Sequence, residues 1–337
     1  MLQGLSCYCD GVFVFQYQQS TKLCVTPEAI LQTTIKSPIS FSGKGLHSGA
    51  PALLTIRPAG AEHGIWFART DVLDGDNLVP ARWDVVNRSP LCTKIENAAG
   101  VEVSTVEHVM AALAGCGVHN ALIEIDGPEV PIVDGSAVPF VRGIMQRGLQ
   151  ILNAPVRAFE VMQTVTVTEG DATATLEPAD SMYIDFHIDF DEAAIGRQSK
   201  SLRMNNGSFA RELCDSRTFC RLSDVEVMQA NGLGLGGSPG ENAVVFDGDK
   251  ILCPGGLRHS DEPVRHKMLD ALGDLALAGA PMIGRYTGDR AGHSLTNTLL
   301  RKAFATPGAV RMVVCDVEMA QRLPGYGLVW DEIPQVA

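Results

Sequence analysis

Apolar and polar residues alternate around Pro and Gly turns from residue 33 to residue 57, the period-two pattern of short strands. Residues 64–69 (GIWFAR) extend that pattern by another strand. The period then changes. Residues 104–115 (STVEHVMAALAG) predict a helix, with Ser104 and Glu107 spaced as a capping box and Gly115 as the stop signal. A strand over 120–126 and a short amphipathic helix over 139–148, with Pro139 at its start, complete the first half. Residues 152–155 (LNAP) read as a linker. The second half repeats the scheme, with strands over 156–168, 172–176 and 182–190, a long helix over 261–279, a strand over 282–287 and a helix over 294–305. The likeness of His108-Val109-Met110 to His266-Lys267-Met268 hints at duplication. Strands come in runs and not in strict β–α alternation, so the pattern predicts an α+β fold.

Residues 1–31 do not join this pattern. Their apolar run (11–15, GVFVF) is short, Asp10 adjoins it, and the first cation is Lys22. Neither a signal peptide nor an Arg-rich transit peptide is expected. The expectation is a disordered extension, or a start assigned too early with Leu31 as the true first residue. No apolar run approaches the ~18–20 residues that span a bilayer, so stable membrane insertion is not expected.

The length of 337 residues suits two domains at roughly 150 residues each. Hydrophobic residues at 45% and charged residues at 20% match a globular protein and exclude a disordered, collagen-like or coiled-coil chain. Acidic residues outnumber basic ones, 39 to 27, giving a net charge of −12, the wrong sign for a nucleic-acid binder. The nine cysteines are irregularly spaced and form no C-x-x-C pair, which predicts reduced thiols in a cytoplasmic protein.

The most informative segment is 265–274 (RHKMLDALGD). Residues four apart on a helix are neighbours, so His266 and Asp270 can reach one metal ion, with Asp274 a turn further along the same side. Imidazole plus carboxylate suits zinc or another borderline divalent metal. The same spacing also suits an ordinary His–Asp surface contact. His187 and Asp191 share it, but in a strand four residues span about 13 Å, too far for a common ion. The best third ligand is His108, preceded by Glu107, a carboxylate placed to act as a general base on water. The competing roles are the capping box for Glu107 and a satisfied core histidine for His108. His293, in a loop beside Arg290 and Gly292, suits a general acid or an N-capping histidine. Residues 232–238 (GLGLGGS) lack the Lys-Ser/Thr ending of a phosphate loop and read as a tight turn. Ser136 lies in no nucleophile elbow, and Asp134 reads as a turn residue.

Taken together, STVEH at 104–108, RHKMLDALGD at 265–274, AGH at 291–293, SRTF at 216–219, IVDGSAVPF at 132–140 and GKGLHSG at 43–49 resemble the zinc-dependent UDP-3-O-acyl-N-acetylglucosamine deacetylase family. The likeness runs in family order over about residues 33–325. It implies removal of acetate from the 2-acetamido group of UDP-3-O-[(R)-3-hydroxyacyl]-N-acetylglucosamine, the committed step of lipid A synthesis, in the cytoplasm of a Gram-negative bacterium. It implies an α+β fold of two similar domains, each a sheet packed on two helices, with the helix layers facing each other. The division would be domain I over 32–153, domain II over 154–325 and a tail over 326–337. It implies one zinc ion per chain, with ferrous iron as the alternative, and a monomer whose partner is the UDP-linked acylated amino sugar.

Residue by residue, the resemblance implies that His108, His266 and Asp270 bind the metal. Glu107 is then the general base, His293 the protonated acid and Asp274 the carboxylate that orients it. Thr218 donates to the oxyanion, Lys267 and Arg290 offer cations to the substrate, and Phe190 stacks on uracil. Phe219 opens a hydrophobic insert for the acyl chain, about 219–235, with Leu222, Val225 and Met228 at helical spacing. The chain departs from the family at Cys220-Arg221, where many members carry a glycine and then an aromatic, which bears on the entrance of that passage. A zinc amidohydrolase for another N-acyl substrate is the competing function. A non-catalytic nucleotide- or lipid-binding protein would be expected to lack Glu107 or a ligand, and none is missing.

Overall fold

The computed structural model describes residues 29–89 and 91–336. The expectation for the N-terminal extension therefore lies, for residues 1–28, outside the described residues. Residues 29–31 already belong to the fold: Ala29 bridges Asp316, and the strand Leu31–Ile35 pairs with Leu149–Pro155. Among the described residues there are seven α-helices: α1 (Glu107–Gly115), α2 (Val138–Arg147), α3 (Ser208–Glu212), α4 (Leu222–Ala230), α5 (Glu262–Ala276), α6 (His293–Ala305) and α7 (Val317–Ala320). None is long and apolar enough to cross a membrane.

The two halves share one strand order. In the first, the hairpin Ile39–Lys44/Pro51–Pro58 lies antiparallel to Ala121–Ile125. That strand runs parallel to Ile65–Arg69, which pairs antiparallel with Leu78–Pro80. In the second, the hairpin Val165–Glu169/Ala172–Glu177 lies antiparallel to Met282–Asp289. That strand runs parallel to Met182–Asp189, which pairs antiparallel with Arg197–Arg203. In each half a long helix, α1 or α5, precedes the central strand, and a second helix, α2 or α6, follows it. A small three-stranded sheet precedes each long helix: 86–104 in the first half and 219–251 in the second. The duplication hinted at by three residues is thus carried by the whole topology. It is the α+β architecture expected of sheets packed on paired helices.

Three local expectations change. The stretch 152–155 is the end of the strand Leu149–Pro155, because its partner is the strand Leu31–Ile35, 114 to 124 residues away. Ser104 and Glu107 form no capping box: Ser104 ends a strand and donates to Pro128 O, and Glu107 accepts from the Thr93 N–H at 3.1 Å. The insert extends past residue 235 to a strand–helix–strand–strand unit ending at Ile251. The described cysteines, 92, 116, 214, 220, 253 and 315, are free thiols.

The helix layers meet where α1 crosses α5. Gly273 makes that crossing close, since a Cβ there would lie 2.0 Å from the Glu107 carbonyl oxygen. Alanine in a helix interior is ordinarily about 1 kcal/mol better than glycine. Here the sign reverses: Gly273→Ala is expected to destabilise by about 1–3 kcal/mol through overpacking. It also shifts Glu107, so a lower denaturation midpoint and lower turnover should appear together.

Candidate active site

The crossing places the N-terminal turn of α1 against the middle of α5, and their buried polar residues converge there. His108, His266 and Asp270 are 3%, 3% and 5% exposed. The Nε2 atoms of the two rings approach a single oxygen, Asp270 Oδ1, at 3.6 and 3.3 Å, with the rings nearly perpendicular. These separations are long for hydrogen bonds. They match the about 3.3–3.4 Å between neighbouring ligand atoms of a tetrahedral ion with bonds near 2.0–2.1 Å. Asp270 Oδ1 is buried without a hydrogen-bond partner among the described residues, an arrangement that costs free energy unless a cation sits there. The donor set therefore fits a divalent metal.

The protonation states agree. His266 Nδ1 faces Ser216 O at 3.0 Å, and a carbonyl only accepts, so the proton is on Nδ1 and the Nε2 lone pair is free. Burial pushes the His266 pKa down to about 4, partly offset by Asp270. Burial alone would raise Asp270, but His266 and Lys267 hold its carboxyl well below the usual range.

Beside this trio runs a second line of groups. His293, the first residue of α6, directs Nδ1 at Asp274 Oδ2, 2.8 Å away. Its Nε2 faces Glu107 Oε1 and Asp270 Oδ2, each at 3.9 Å. Burial opposes charge on this ring, but Asp274 and Glu107 outweigh it and raise the pKa to about 9. Burial raises Glu107, with His293 and His108 acting against it. The buried Thr93 ties the line together: its N–H donates to Glu107 Oε2 and its hydroxyl to Asp274 Oδ1 at 2.5 Å. Two residues flanking the site are held in the left-handed region, Thr105 (φ 58) and Arg290 (φ 50), strain that positions adjacent groups.

The remaining expected residues surround this cluster to different degrees. Phe219 packs edge-to-face near the His266 ring, centroids 6.3 Å apart, and Phe190 packs on Phe219 at 5.6 Å. Lys267 Nζ donates to Asp270 Oδ2 at 3.1 Å. Thr218 is half-buried, its backbone fixed between Gly135 O and Val244 N. Arg290 is exposed beside Asp289, outside the cluster. Leu222, Val225 and Met228 line one half-buried face of α4, and no residue of that helix is fully buried. Arg221 forks onto Asp224, both contacts at 2.7 Å, at the entrance of the insert. Asp134 is a turn residue, accepting from Ser136 and pairing with Arg258.

Several contributors had no individual signal in the sequence. His47, from the GKGLHSG segment, has both ring nitrogens buried without a partner among the described residues. Burial lowers its pKa, Glu129 opposes the shift, and the charge of His293 adds to it. Glu129 holds that loop through the His47 and Ser48 N–H groups at 2.8 Å. Glu262, 1% exposed, clamps Arg217 and the Arg258 N–H, which fixes the segment carrying Ser216 O. The glycine-rich loop 232–238 is a clasp and not a phosphate cradle. Leu235 N–H and Gly236 N–H donate to His47 O and Leu46 O, and a Cβ on Gly236 would meet Gly45 O at 2.0 Å.

The chain is similar to known proteins along most of its length. The family model "LpxC: UDP-3-O-acyl N-acetylglycosamine deacetylase" matches residues 32–305. A protein named UDP-3-O-acyl-N-acetylglucosamine deacetylase from Phenylobacterium zucineum (strain HLK1) is 48% identical over 292 residues, 87% of this chain and 99% of that relative. Proteins of the same name from Anaeromyxobacter sp. (strain Fw109-5) and Pasteurella multocida (strain Pm70) are 47% and 43% identical, over 87% and 86% of this chain and 95% of each relative. Likeness at this level over nearly whole relatives leaves one assignment: the chain belongs to the UDP-3-O-acyl N-acetylglycosamine deacetylase family.

Proposed function

We propose that the chain hydrolyses the 2-acetamido group of UDP-3-O-[(R)-3-hydroxyacyl]-N-acetylglucosamine to UDP-3-O-acyl-glucosamine and acetate. It does so as a cytoplasmic monomer in lipid A biosynthesis, with one metal ion, zinc or ferrous iron, held by His108, His266 and Asp270. The observation that carries this reading is the convergence of that trio beside the Glu107–His293–Asp274 line. A divalent cation bound there supplies the charge that polarises an amide carbonyl and acidifies an attacking water.

Glu107 takes the proton of that water. Thr93 fixes one of its oxygens, which leaves Oε1 toward the reacting groups. His293 enters the reaction charged, stabilises the oxyanion through Nε2–H and passes that proton to the leaving amine. Asp274 keeps the ring oriented and charged from the Nδ1 side. Thr218 gives the oxyanion a second donor, a role worth about 3 kcal/mol. Phe190 offers an aromatic face to uracil, Lys267 and Arg290 offer cations to the diphosphate, and Phe219, Leu222 and Val225 contact the acyl chain.

The pH dependence follows. His293 has a raised pKa of about 9 and acts charged, so activity is present below that pH and is lost as pH rises through it. Asp274→Asn removes the carboxylate charge that supports the ring. The alkaline limb of the rate profile should then move to lower pH by about one unit or more. An unmoved limb assigns the acid role elsewhere. For the substrate, acetate release from the UDP-linked acylated sugar should far exceed release from N-acetylglucosamine. Equal rates on the two would favour an amidohydrolase for another N-acyl substrate.

A further inference from the structure

A second cavity, of about 420 Å³, lies between the two halves at the opposite ends of α1 and α5 from the metal-ligand trio. Ala114 is six residues beyond His108 and Ala276 six beyond Asp270, each about 9 Å along its helix. The cavity thus shares the helix pair with the active site, and none of the catalytic cluster lines it. Its volume is in the range of small-molecule sites.

Its lining has two parts. The apolar part includes Leu272, Leu275 and four of the eleven methionines in the chain, Met110, Met182, Met282 and Met312. Unbranched thioether side chains reshape around flexible apolar ligands better than branched ones do. The polar part is a wall whose hydrogen bonds are nearly all made. Asn120 Nδ2 donates to Gln32 Oε1 at 2.9 Å, Asn120 Oδ1 accepts from Gly64 N, and Gln32 Nε2 donates to Pro155 O. The exception is His119. Thr33 N–H donates to its Nδ1 at 3.1 Å, which puts the ring proton on Nε2. Burial lowers its pKa to about 4, so the ring is a neutral donor. That Nε2–H has no partner among the described residues in the hydrogen bonds of the fold, and His119 lines the cavity. At the rim, Arg157 and Arg82 are each already paired with a carboxylate, Glu62 and Asp84. A chain ending in an oxygen acceptor meets the His119 Nε2–H donor, which the fold leaves unengaged among the described residues.

We propose that this cavity is a second ligand site, for a single unbranched acyl chain whose carbonyl oxygen accepts from His119 Nε2–H. A free fatty acid and an acyl thioester share that chemistry. Trp66 lines the cavity and reports on it, while Trp83 is stacked on Phe304 and Trp330 lies in the C-terminal segment. The test uses the full chain titrated with 12-bromododecanoate below its micellar concentration, with tryptophan emission as readout.

Saturable quenching is expected in the unsubstituted protein and should be absent in Trp66→Phe, which assigns it to Trp66. Ala114→Leu fills the cavity from α1 and should raise the midpoint at least tenfold. His119→Ala removes the outward donor, and should weaken binding about tenfold. The brominated coenzyme A thioester identifies the source: quenching by the acid alone assigns the site to free fatty acids, and quenching by both assigns it to acyl carbonyls generally. No saturable quenching of Trp66 by either probe, or a midpoint unmoved in Ala114→Leu, overturns the site. A midpoint unmoved in His119→Ala overturns the polar contact.

Discussion

Replacing Glu107 with glutamine is expected to leave the metal bound and to lower kcat by about 10²- to 10⁴-fold, the span of a lost general base. Glutamine has the same shape, and its amide oxygen can still accept from Thr93 N–H, so the fold around the Gly273 crossing has no reason to move. Glu107 is not one of the three converging ligands. What the substitution removes is a carboxylate oxygen, Oε1, that faces His293 Nε2 across 3.9 Å, the gap in which a reacting group would sit. Metal content by elemental analysis and steady-state kcat on one preparation are the readouts. Near-normal kcat in a metal-loaded Glu107→Gln protein would remove Glu107 from the role of base.

The second large effect should come from His266→Ala, which is expected to lose metal and activity together. The substitution takes away one of three proposed ligands and also the ring that caps Ser216 O, leaving a buried carbonyl without its donor, at a cost of about 1–3 kcal/mol. The protein should therefore remain folded at room temperature, with a lower melting point and little bound metal. Retained metal with normal turnover would contradict the ligand assignment. The contrast between the two variants matters more than either alone, because it separates holding the ion from moving the proton.

The sequence made the cluster on α5 legible for a physical reason. Periodicity of 3.6 puts His266, Asp270 and Asp274 on one side of α5, and that relation is local. The α+β pattern was legible on the same grounds, as runs of period-two segments broken by helices. What was illegible depends on distant partners. The apparent capping box failed because the Thr93 N–H, fourteen residues upstream, competes for Glu107. The apparent linker is a strand because its partner is at the other end of the first half. The buried Thr93, Glu129 and Glu262 and the half-buried His47 bear on the site through contacts that include partners 14 to 181 residues away in sequence, which no spacing rule could nominate. The glycine loop was assigned to a turn. Its closeness to the His47 segment, which the absence of a Cβ at Gly236 permits, exists only after the two halves dock. The shared strand order of the halves is likewise carried by pairing and not by residue identity, of which three positions gave the only trace.

Metal-dependent deacetylation is addressed most directly by one measurement. Acetate release from UDP-3-O-(3-hydroxymyristoyl)-N-acetylglucosamine should be followed before chelation, after chelation and after zinc add-back. Release should be abolished by the chelator and restored by zinc. Release that persists in chelated, metal-free protein, or no release from folded, zinc-loaded protein across a series of acyl lengths, would contradict it.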